Sequence, residues 1–407
     1  MASSPAYDPL SPEVMADPFP TYAVLREERP VEHYAGLSVP YYIVLRYDDV
    51  RDAEIDTSRY SAGYGSSAMH REPGGMRQDG PEHVKFRMLI QARFSPKSLQ
   101  RYQARTVQII DDLIDAMMAK GAPAELYEQF AVPLPARMTA YMLGAADEDY
   151  EEMAYLADRL MFYSWTVTKP EVHAELRERV QRWFDRHIDE RLALLDAAGI
   201  THPGPQHVGV VVPDDLFSDV TCGVVDGRRI TRDEMHEMLQ TLLIGGIETT
   251  AHLITNCVWR LLEDRTRWDA VVADPDRMIP IAIEESLRFD PPGLGLWRTT
   301  VREFELHGRV IPAGAKVQMS YGSANRDPRI FSDPDTFRLD RPMSEMRKHL
   351  TFGTGPHMCV GQHLSRLEAG LTLRAFFERL PGLRLAGESE RIENFGFWGR
   401  GKLPLAW

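Results

Sequence analysis

The stretch that decides the fold is Phe352-Gly353-Thr354-Gly355-Pro356-His357-Met358-Cys359-Val360-Gly361. Two glycines in a loop allow positive φ angles and a close approach of the backbone to a flat ligand. Cys359 stands just ahead of a helix predicted to begin near Gly361, whose free amide groups and dipole favour a thiolate. A thiolate with hydrogen-bond donors directed at its sulfur can be the axial ligand of haem iron.

Other interpretations of this stretch stay open from the residues alone. A lone cysteine in a glycine-containing turn is more often a small buried core residue than a ligand. Zinc binding is less well supported, because Cys222 and Cys257 lie far away in the sequence and no paired ligand spacing accompanies Cys359.

The same segment resembles the haem-binding loop of the cytochrome P450 family, which is written Phe-Gly-x-Gly-x-(His/Arg)-x-Cys-x-Gly. The fixed positions of that pattern are matched by Phe352, Gly353, Gly355, His357, Cys359 and Gly361. The resemblance implies a mainly α fold with a minor β portion, an α-rich triangular prism with a long central helix over the haem. It also implies haem b (iron protoporphyrin IX) as cofactor, with Cys359 as the axial ligand of the iron and with Phe352 and Gly353 among the binding residues.

A long helix is predicted to begin near Thr231, where the sequence supplies an N-cap followed by carboxylates, and to end near Leu262. It contains Gly245-Gly246-Ile247-Glu248-Thr249-Thr250. Adjacent glycines in a helix interior cost roughly 1 kcal/mol each relative to alanine, which predicts either a close approach to a ligand or a close crossing of two helices. The Thr249 hydroxyl can donate to the Gly245 carbonyl four residues earlier.

This helical stretch resembles the oxygen-activation segment of the same family, (Ala/Gly)-Gly-x-(Asp/Glu)-Thr. The resemblance implies that Thr249 and Glu248 are the catalytic residues. Thr249 would act in oxygen activation, and Glu248, beside a wet groove, would help to deliver protons for cleavage of the O–O bond. Gly245 would lie against the haem.

The stretch Glu285-Ser286-Leu287-Arg288 places a carboxylate and a guanidinium three residues apart on a predicted helix, where they can pair. Taken alone, such pairs are usually surface pairs that contribute little stability. The pattern resembles the family's Glu-x-x-Arg, which implies a buried structural pair with Arg341 as its third member. We expect these residues to maintain the fold and to take no part in the chemistry.

The propionates of haem need cationic donors, and arginine suits them because its planar fork can donate two hydrogen bonds. His83 and Arg87 lie four residues apart on one predicted helical face, a pattern that by itself more often indicates a solvated surface. The pair resembles the family's His-x-x-x-Arg, which implies propionate binding. Arg298 and His357 fit as the remaining partners, and His349 is a weaker candidate.

The family's substrate-contact segments would fall near residues 64–78, 294–297 and 395–398, besides the long helix. The residues predicted to form this apolar and partly aromatic wall are Leu242, Gly246, Leu294, Leu296, Trp297 and Phe395. Aromatic residues at such positions more often belong to the core than to a pocket. A terpenoid, an aromatic acid or a polyketide-like molecule would each be compatible with this wall.

Composition and charge limit the function classes. The chain has 407 residues, 43% of them hydrophobic, and a formal net charge of −13, which argues against binding to nucleic acid or anionic lipid. We see no apolar run of the roughly 18 residues that a bilayer crossing needs, and no leader segment. Three widely spaced cysteines do not make a disulfide framework. We therefore expect a cytoplasmic protein without a membrane anchor.

We expect one domain over residues 1–407, with a smaller β-rich portion mainly at 35–60, 297–322 and 385–407 and a helical body elsewhere. Further helices are predicted over residues 99–118, 126–143, 149–163, 170–195, 265–273 and 279–289, and strands over 41–45, 299–306 and 316–320. The Pro- and Gly-rich residues 199–213 predict a surface connection between two helices.

Monooxygenation consumes two electrons, and the sequence contains no flavin or iron–sulfur motif. We therefore expect ferredoxin and ferredoxin reductase as partners in trans. Docking of an acidic ferredoxin would be favoured by the basic residues Lys97, Arg101, Arg105, Arg347 and Lys348. An equal alternative is that these residues only form a solvated surface.

The sequence thus predicts a monooxygenase that inserts one oxygen atom of O2 into an apolar small molecule. The presence of both Glu248 and Thr249 favours this function over a haem-thiolate enzyme that uses peroxide or rearranges an activated substrate. A non-catalytic haem-binding sensor is the least favoured alternative, because the sequence carries no regulatory or DNA-binding segment.

Overall fold

The structure is a computed structural model that describes residues 7–69, 73–166 and 168–407. Its α-helices are α1 Pro12–Ala16, α2 Phe19–Glu28, α3 Tyr47–Ile55, α4 Gly80–Met88, α5 Pro96–Leu99, α6 Gln103–Lys120, α7 Pro133–Leu143, α8 Tyr150–Thr166, α9 Pro170–Ala197, α10 Leu216–Thr221, α11 Arg232–Leu262, α12 Arg265–Ala273, α13 Pro275–Phe289, α14 Tyr321–Ala324, α15 Met343–Met346 and α16 Gln362–Arg379. Its β-strands are β1 Val31–Tyr34, β2 Tyr41–Val44, β3 Tyr60–Ser61, β4 Ala124–Glu125, β5 Val224–Val225, β6 Arg228–Arg229, β7 Gly295–Thr300, β8 Phe304–Leu306, β9 Arg309–Ile311, β10 Lys316–Ser320, β11 Arg384–Leu385, β12 Glu390–Arg391, β13 Arg400–Lys402 and β14 Pro404–Ala406. This helix-rich architecture with a small sheet portion confirms the predicted fold class.

Helix α11 is the central element, because α7, α8, α13 and α16 all pack against it. Its start is capped as predicted: the Thr231 hydroxyl accepts a hydrogen bond from the Glu234 amide at 3.2 Å, and the Glu234 carboxylate accepts one from the Thr231 amide at 2.7 Å. Most of its residues from Met235 to Leu262 are buried, since helices cover it on several sides. The long helix therefore crosses the core of the molecule.

The largest sheet joins strands of the amino-terminal region, residues 31–61, to strands within residues 295–320, in the order β1-β2-β10-β7-β3. Strands β2 and β10 are parallel, and the other neighbours are antiparallel. Side chains alternate between the two faces of a strand, so Leu296 and Arg298 of β7 share one face and Trp297 occupies the other. This alternation decides which β7 residues reach the functional site.

Three predicted elements differ in the structure. The prediction of one continuous strand over residues 299–306 is wrong, because the chain turns at the exposed residues 301–303 between β7 and β8. The helix over 99–118 begins only at Gln103, after the separate short helix α5. The helix over 279–289 begins earlier, at Pro275.

The connection over residues 199–213 lies between α9 and α10, as predicted. Its residues Val208, Val211 and Val212 pack with Leu195 and Cys222 in a small apolar cluster of their own. Among the described helices, none has both the length and the apolar character that a bilayer crossing requires.

A fully buried ion network anchors α13. The Glu285 carboxylate accepts from Arg288 at 2.7 and 2.8 Å and from Arg341 at 3.1 Å, and the side chains of all three residues have no exposed surface. Arg288 also donates to the carbonyls of Asn325 and Pro334, so the network ties the chain after α14 to α13. The structure thus brings together the three residues that the sequence assigns to fold integrity.

Replacing Glu285 by Gln leaves the buried Arg288 guanidinium without its counter-charge and leaves Arg341 with Glu345 alone. We expect Glu285→Gln to lower the free energy of unfolding by about 3–5 kcal/mol, measured by urea denaturation. The control is Arg277→Gln, which breaks an exposed pair of the same spacing with Asp274, also at 2.7 Å, and should change stability little. Equal destabilisation by the two variants would contradict a structural role that depends on burial.

Helix α16 buries another carboxylate, that of Glu368, which is only 1% exposed. Its Oε2 atom has no hydrogen-bond partner among the described residues. Burial raises the pKa of Glu368 from 4.5 to about 8, because the charged form loses its hydration. Between pH 4.5 and about 8 the Glu368 carboxyl group is therefore protonated in the folded protein and ionised in the unfolded chain.

Since the folded state binds the extra proton, the free energy of unfolding should fall as the pH rises from 4.5 to about 8, by about 1.4 kcal/mol per pH unit from this one group. We expect Glu368→Gln to remove this slope and to be more stable than the parent protein near pH 8. Urea denaturation at several pH values measures both effects. The exposed Glu378 on the same helix is the control, and a Glu378→Gln variant should keep the parent slope.

Candidate active site

A cavity of about 400 Å³ lies between α11 and the loop that contains Cys359. Helix α11 contributes Leu242, Gly245, Gly246, Thr249, Thr250 and Leu253 to its lining. The cysteine loop and the start of α16 contribute Phe352, Gly353, Cys359, Val360, Gly361 and Leu364. The cavity edge includes Glu54, His83, Arg87, Arg298, Tyr321 and His357. Two motifs more than one hundred residues apart in the sequence thus line one cavity.

The cysteine loop depends on its two glycines. Gly353 has φ +67° and Gly355 has φ +70°, conformations that side chains rarely adopt. A Cβ atom on Gly355 would also lie 3.3 Å from the backbone oxygen of Glu54. The Phe352 carbonyl accepts a hydrogen bond from the Cys359 amide at 2.8 Å and closes the loop. The glycines therefore let the loop pass close to α3 while it presents Cys359 to the cavity.

Opposing effects act on the pKa of the Cys359 thiol. Burial raises the pKa of the thiol, and the backbone amides of Gly361 and Gln362 and the charges of Arg87 and Arg366 oppose this rise. The amide groups thus act in the direction that the sequence predicts, but burial outweighs them. A bound iron ion would add positive charge beside the sulfur and would favour the thiolate.

The two glycines of α11 have different surroundings. A Cβ atom on Gly245 would meet no atom within 4 Å, because this residue borders the cavity. A Cβ atom on Gly246 would lie 2.9 Å from the Thr139 hydroxyl of α7. The glycine pair therefore serves both purposes considered from the sequence, an open space for a ligand at Gly245 and a close helix crossing at Gly246.

These features fit a haem group. A flat cofactor requires space along α11, which Gly245 leaves open, and a ligand atom for the metal, which is the Cys359 sulfur. The apolar lining residues Leu242, Leu253 and Leu364 suit a porphyrin ring, and cationic side chains stand at the cavity edge. The residues present therefore suit iron protoporphyrin.

Thr249 and Glu248 have different positions relative to the cavity. The Thr249 hydroxyl lines it and donates to the Gly245 carbonyl at 2.9 Å, the hydrogen bond that the spacing predicts. The Glu248 side chain is buried away from the lining, with its Oε1 atom 3.3 Å from Nε2 of His252. The structure thus directs Glu248 towards a buried histidine and does not place it on the described lining of the cavity, and its part in proton delivery stays a prediction.

His252 is a residue that motif reasoning missed, although its i, i+4 spacing from Glu248 could have indicated a pair. It is fully buried and stacks on the Tyr127 ring, with 5.8 Å between ring centroids. A Cβ atom on Gly399 would lie 2.2 Å from Nδ1 of His252, so glycine at that position leaves room for the imidazole. Burial and the Glu248 carboxylate raise the pKa of the neighbouring Asp158.

Two of the predicted propionate donors hold the cysteine loop. Nε2 of His83 lies 3.0 Å from the Pro356 carbonyl oxygen, and Arg87 donates to the same oxygen at 3.3 Å. The other ring nitrogen of His83 lies 2.7 Å from the Met76 carbonyl oxygen. Burial lowers the pKa of both His83 and Arg87, and the nearby His357 ring, 3.9 Å away, lowers that of His83 further. Both donors therefore lie where the loop meets the cavity edge.

The other two predicted donors each contact a carboxylate. Arg298 forms a buried ion pair with Glu54, and Nε2 of His357 lies 3.1 Å from Asp79. The Tyr321 hydroxyl donates to the same Glu54 carboxylate. Glu54 and Tyr321 were not found from the sequence, since no local pattern connects them to Arg298. Propionate binding by these four donors stays a prediction, and the structure places all four on the lining of the cavity.

His349 does not reach the cavity. Its Nε2 atom lies 3.1 Å from Glu284, which also binds Arg366 at 2.5 Å. Although burial opposes ionisation, these two partners lower the pKa of Glu284 to about 2. The Arg366 guanidinium carbon lies 4.5 Å from the centroid of the Phe352 ring, so this ion cluster packs against the cysteine loop.

Half of the residues predicted to form the substrate wall line the cavity, and their contact with a substrate stays a prediction. These residues are Leu242, Gly246 and Leu296. A separate apolar core cluster contains the other three, Leu294, Trp297 and Phe395. Trp297 lies on the opposite face of β7 from Leu296 and packs against Tyr41 with ring centroids 4.4 Å apart. Phe397 lines the cavity in place of Phe395. Residues 70–72 of the predicted segment 64–78 lie outside the described residues.

Comparison with known proteins gives a consistent result. A family model described as cytochrome P450 matches residues 26–381. Nocardicin C N-oxygenase of Nocardia uniformis subsp. tsuyamanensis is 34% identical, with 98% of each chain covered. Cytochrome P450 monooxygenase PikC of Streptomyces venezuelae is 32% identical, covering 100% of this chain and 95% of that one. Among solved structures, the cytochrome P450 PksS of the Bacillus subtilis 168 bacillaene polyketide synthase has a TM-score of 0.85 at 25% identity, covering 98% of this chain and 99% of that one.

Proposed function

Because the chain belongs to the cytochrome P450 family of haem-dependent monooxygenases, we propose that it inserts one oxygen atom of O2 into an apolar small molecule with electrons from a separate ferredoxin system. The observation that carries this proposal is the position of the Thr249 hydroxyl and the Cys359 sulfur on the lining of one cavity. A thiolate ligand and a hydroxyl near the oxygen-binding position are the groups that reductive oxygen activation needs.

In this proposal the Cys359 sulfur would hold the haem iron, and His83, Arg87, Arg298 and His357 would bind the propionates. When bound, haem would supply the redox chemistry for oxygen activation. The protein holds this group through the glycine-containing loop and leaves space for it beside Gly245.

Proton supply is assigned to Thr249, Glu248 and His252. The Thr249 hydroxyl accepts and donates protons at the cavity, and its bond to the Gly245 carbonyl fixes its orientation. The Glu248 carboxylate lies 3.3 Å from Nε2 of His252, one turn further along α11. Delivery to the cavity then requires the Glu248 side chain to change rotamer, since it is buried away from the lining.

The apolar character of the substrate is supported by the lining of the cavity. Its apolar side chains include Met161, Ile244, Leu296 and Phe397. Burial of apolar substrate surface against such groups drives binding.

Ferredoxin as electron donor is supported by a basic surface near the cysteine loop. Helix α5, which carries the exposed Lys97, packs against α16, and the exposed Arg347 and Lys348 precede the loop. Arg101 and Arg105 contribute less than the sequence suggests, because they pair with Asp214 and Asp147. An acidic ferredoxin would be attracted to the remaining charges, and its reduction of the protein should weaken with salt.

Removal of the sulfur tests the proposal most directly. We expect Cys359→Ala to abolish the thiolate-specific Soret band of the reduced carbon monoxide complex, because no other cysteine is among the described residues that line the cavity. The matched control is Cys257→Ala, which removes a buried sulfur near the Ala282 carbonyl on the far side of α11 and should keep the band. An unchanged band in Cys359→Ala would refute the assigned ligand.

Thr249→Ala should separate electron consumption from product formation. With reduced ferredoxin we expect product per electron pair to fall by about tenfold or more, because the hydroxyl that handles protons is lost. Thr241→Ala is the control. Thr241 lies on α11 two turns before Thr249, also lines the cavity, and donates to the Glu237 carbonyl at 2.8 Å. Its loss should leave the ratio of product to electrons consumed unchanged.

The same variants distinguish an oxygen-dependent enzyme from a peroxide-using one. Hydrogen peroxide bypasses reductive proton delivery, so Thr249→Ala should affect the peroxide-supported reaction far less than the ferredoxin-supported one. If the parent protein forms product with peroxide but none with ferredoxin, the proposed electron source is wrong and the peroxide-using alternative is favoured.

A further inference from the structure

A group of polar side chains lines the cavity at the amino-terminal half of α11, away from the cysteine loop. Arg77 ends a short 3-10 helix, Gly75–Arg77, that packs against α11. Gly75 has φ +53°, and a Cβ atom there would lie 3.4 Å from the Glu234 carbonyl oxygen. This close contact places the Arg77 guanidinium against Glu237 of α11, with 2.7 Å between Nη2 and Oε2.

Most of the donor capacity of Arg77 is unused. Its Nε and Nη1 atoms are buried and have no hydrogen-bond partner among the described residues. Gln240, one turn along α11 and 4% exposed, also has a buried Nε2 atom without a partner in this part of the chain. Arg77 and Gln240 line the same cavity. Buried donors are almost always paired in folded proteins, so three such atoms at one cavity indicate a missing acceptor.

The charge of this group favours an anion. Glu237 is shared between Arg77 and the more exposed Arg177, whose Nη2 atom lies 3.4 Å from Oε1. Two guanidinium groups therefore face one carboxylate, and the group keeps a net positive charge. Burial lowers the pKa of Arg77 while Glu237 opposes that change. Arginine remains protonated under such conditions and binds carboxylates through paired donors.

None of these side chains has a part in the assigned chemistry. The cofactor donors and Thr249 account for the other end of the cavity, and the apolar residues Met161, Ile244 and Leu296 lie on its lining as well. A ligand that bridges the cavity would thus meet apolar side chains and, at one end, open cationic donors. This pattern is complementary to an amphiphilic molecule with one anionic end.

We propose that Arg77 and Gln240 form a subsite that binds the carboxylate of an otherwise apolar substrate and directs its distant carbon atoms towards the haem. This inference rests on the proposed function, since it names the substrate class for the same cavity. It narrows that class from apolar molecules in general to carboxylic acids with an apolar body. Neutral terpenoids and macrolactones without an acidic group would leave the Arg77 donors unpaired.

The test uses ligands that are held at the iron by an imidazole, so that every probe can bind. The probes are ω-(imidazol-1-yl)alkanoic acids of increasing chain length, their methyl esters, and 1-alkylimidazoles of matched length. Imidazole nitrogen is a good ligand for iron, and its binding to the purified holoenzyme shifts the Soret band. Titration gives a Kd for each probe, and the chain length with the largest acid preference reports the distance to the subsite.

We expect the best acid to bind at least about tenfold more tightly than its ester and its alkyl analogue. Arg77→Gln should remove this preference and leave the affinity for 1-alkylimidazoles unchanged. Gln240→Leu should reduce the preference by about threefold, as expected for one neutral hydrogen bond. The comparison variant is Arg177→Gln, which removes a guanidinium that faces the same Glu237 without lining the cavity, and it should lower the preference less than Arg77→Gln.

Equal affinity for acids and esters at every chain length would overturn the proposal, as would an acid preference that survives in Arg77→Gln. Tighter binding of the esters would instead assign the subsite to neutral acceptors and would also overturn it. Haem content of each variant, measured in parallel, shows whether the fold is retained, and Arg77→Lys, which keeps the charge, should restore part of the preference. Failure of the proposed function would be a separate result: the parent protein itself would lack the thiolate Soret band of the reduced carbon monoxide complex.

Discussion

The Cys359 sulfur is the atom whose surroundings constrain the rest of the site. Burial disfavours its negative charge, while the amides at the start of α16 favour it, so a bound cation decides the balance. The loop reaches this position only because Gly353 and Gly355 take positive φ angles beside Glu54. Helix α11 runs along the cavity, and the absence of a side chain at Gly245 leaves space there for a cofactor.

Buried charges surround this site in pairs, and each pair joins elements that are far apart in the chain. Glu54 of α3 meets Arg298 of β7, and Glu284 of α13 meets Arg366 of α16. A buried charge without its partner is strongly destabilising, so such pairs couple the position of the cysteine loop to the packing of the whole molecule. Arg77 pairs with Glu237 as well, but it lines the cavity, and its Nε and Nη1 atoms have no acceptor among the described residues. These unpaired donors on the cavity lining are the observation behind the proposed carboxylate subsite.

Motif spacing located most of the site, but it misplaced the side chains whose direction depends on packing. Thr249 forms the predicted bond to Gly245, whereas Glu248, the adjacent residue, is directed to His252 and away from the cavity. Trp297 was expected on the pocket wall together with Leu296, although neighbouring residues of a strand face opposite sides. The sheet order decides which side is the cavity, and no local pattern contains that information.

The sequence by itself determined the features that arise within a few residues: the cap of α11 at Thr231, the glycine loop before α16, and the Glu285–Arg288 pair one turn apart. These follow from backbone geometry and from contacts between residues three or four positions apart. Only the tertiary structure decided that Glu54 pairs with Arg298, that Gly399 makes room for His252, and that Arg77 opens into the cavity. The physical reason is that burial and charge pairing depend on elements brought together from distant parts of the chain.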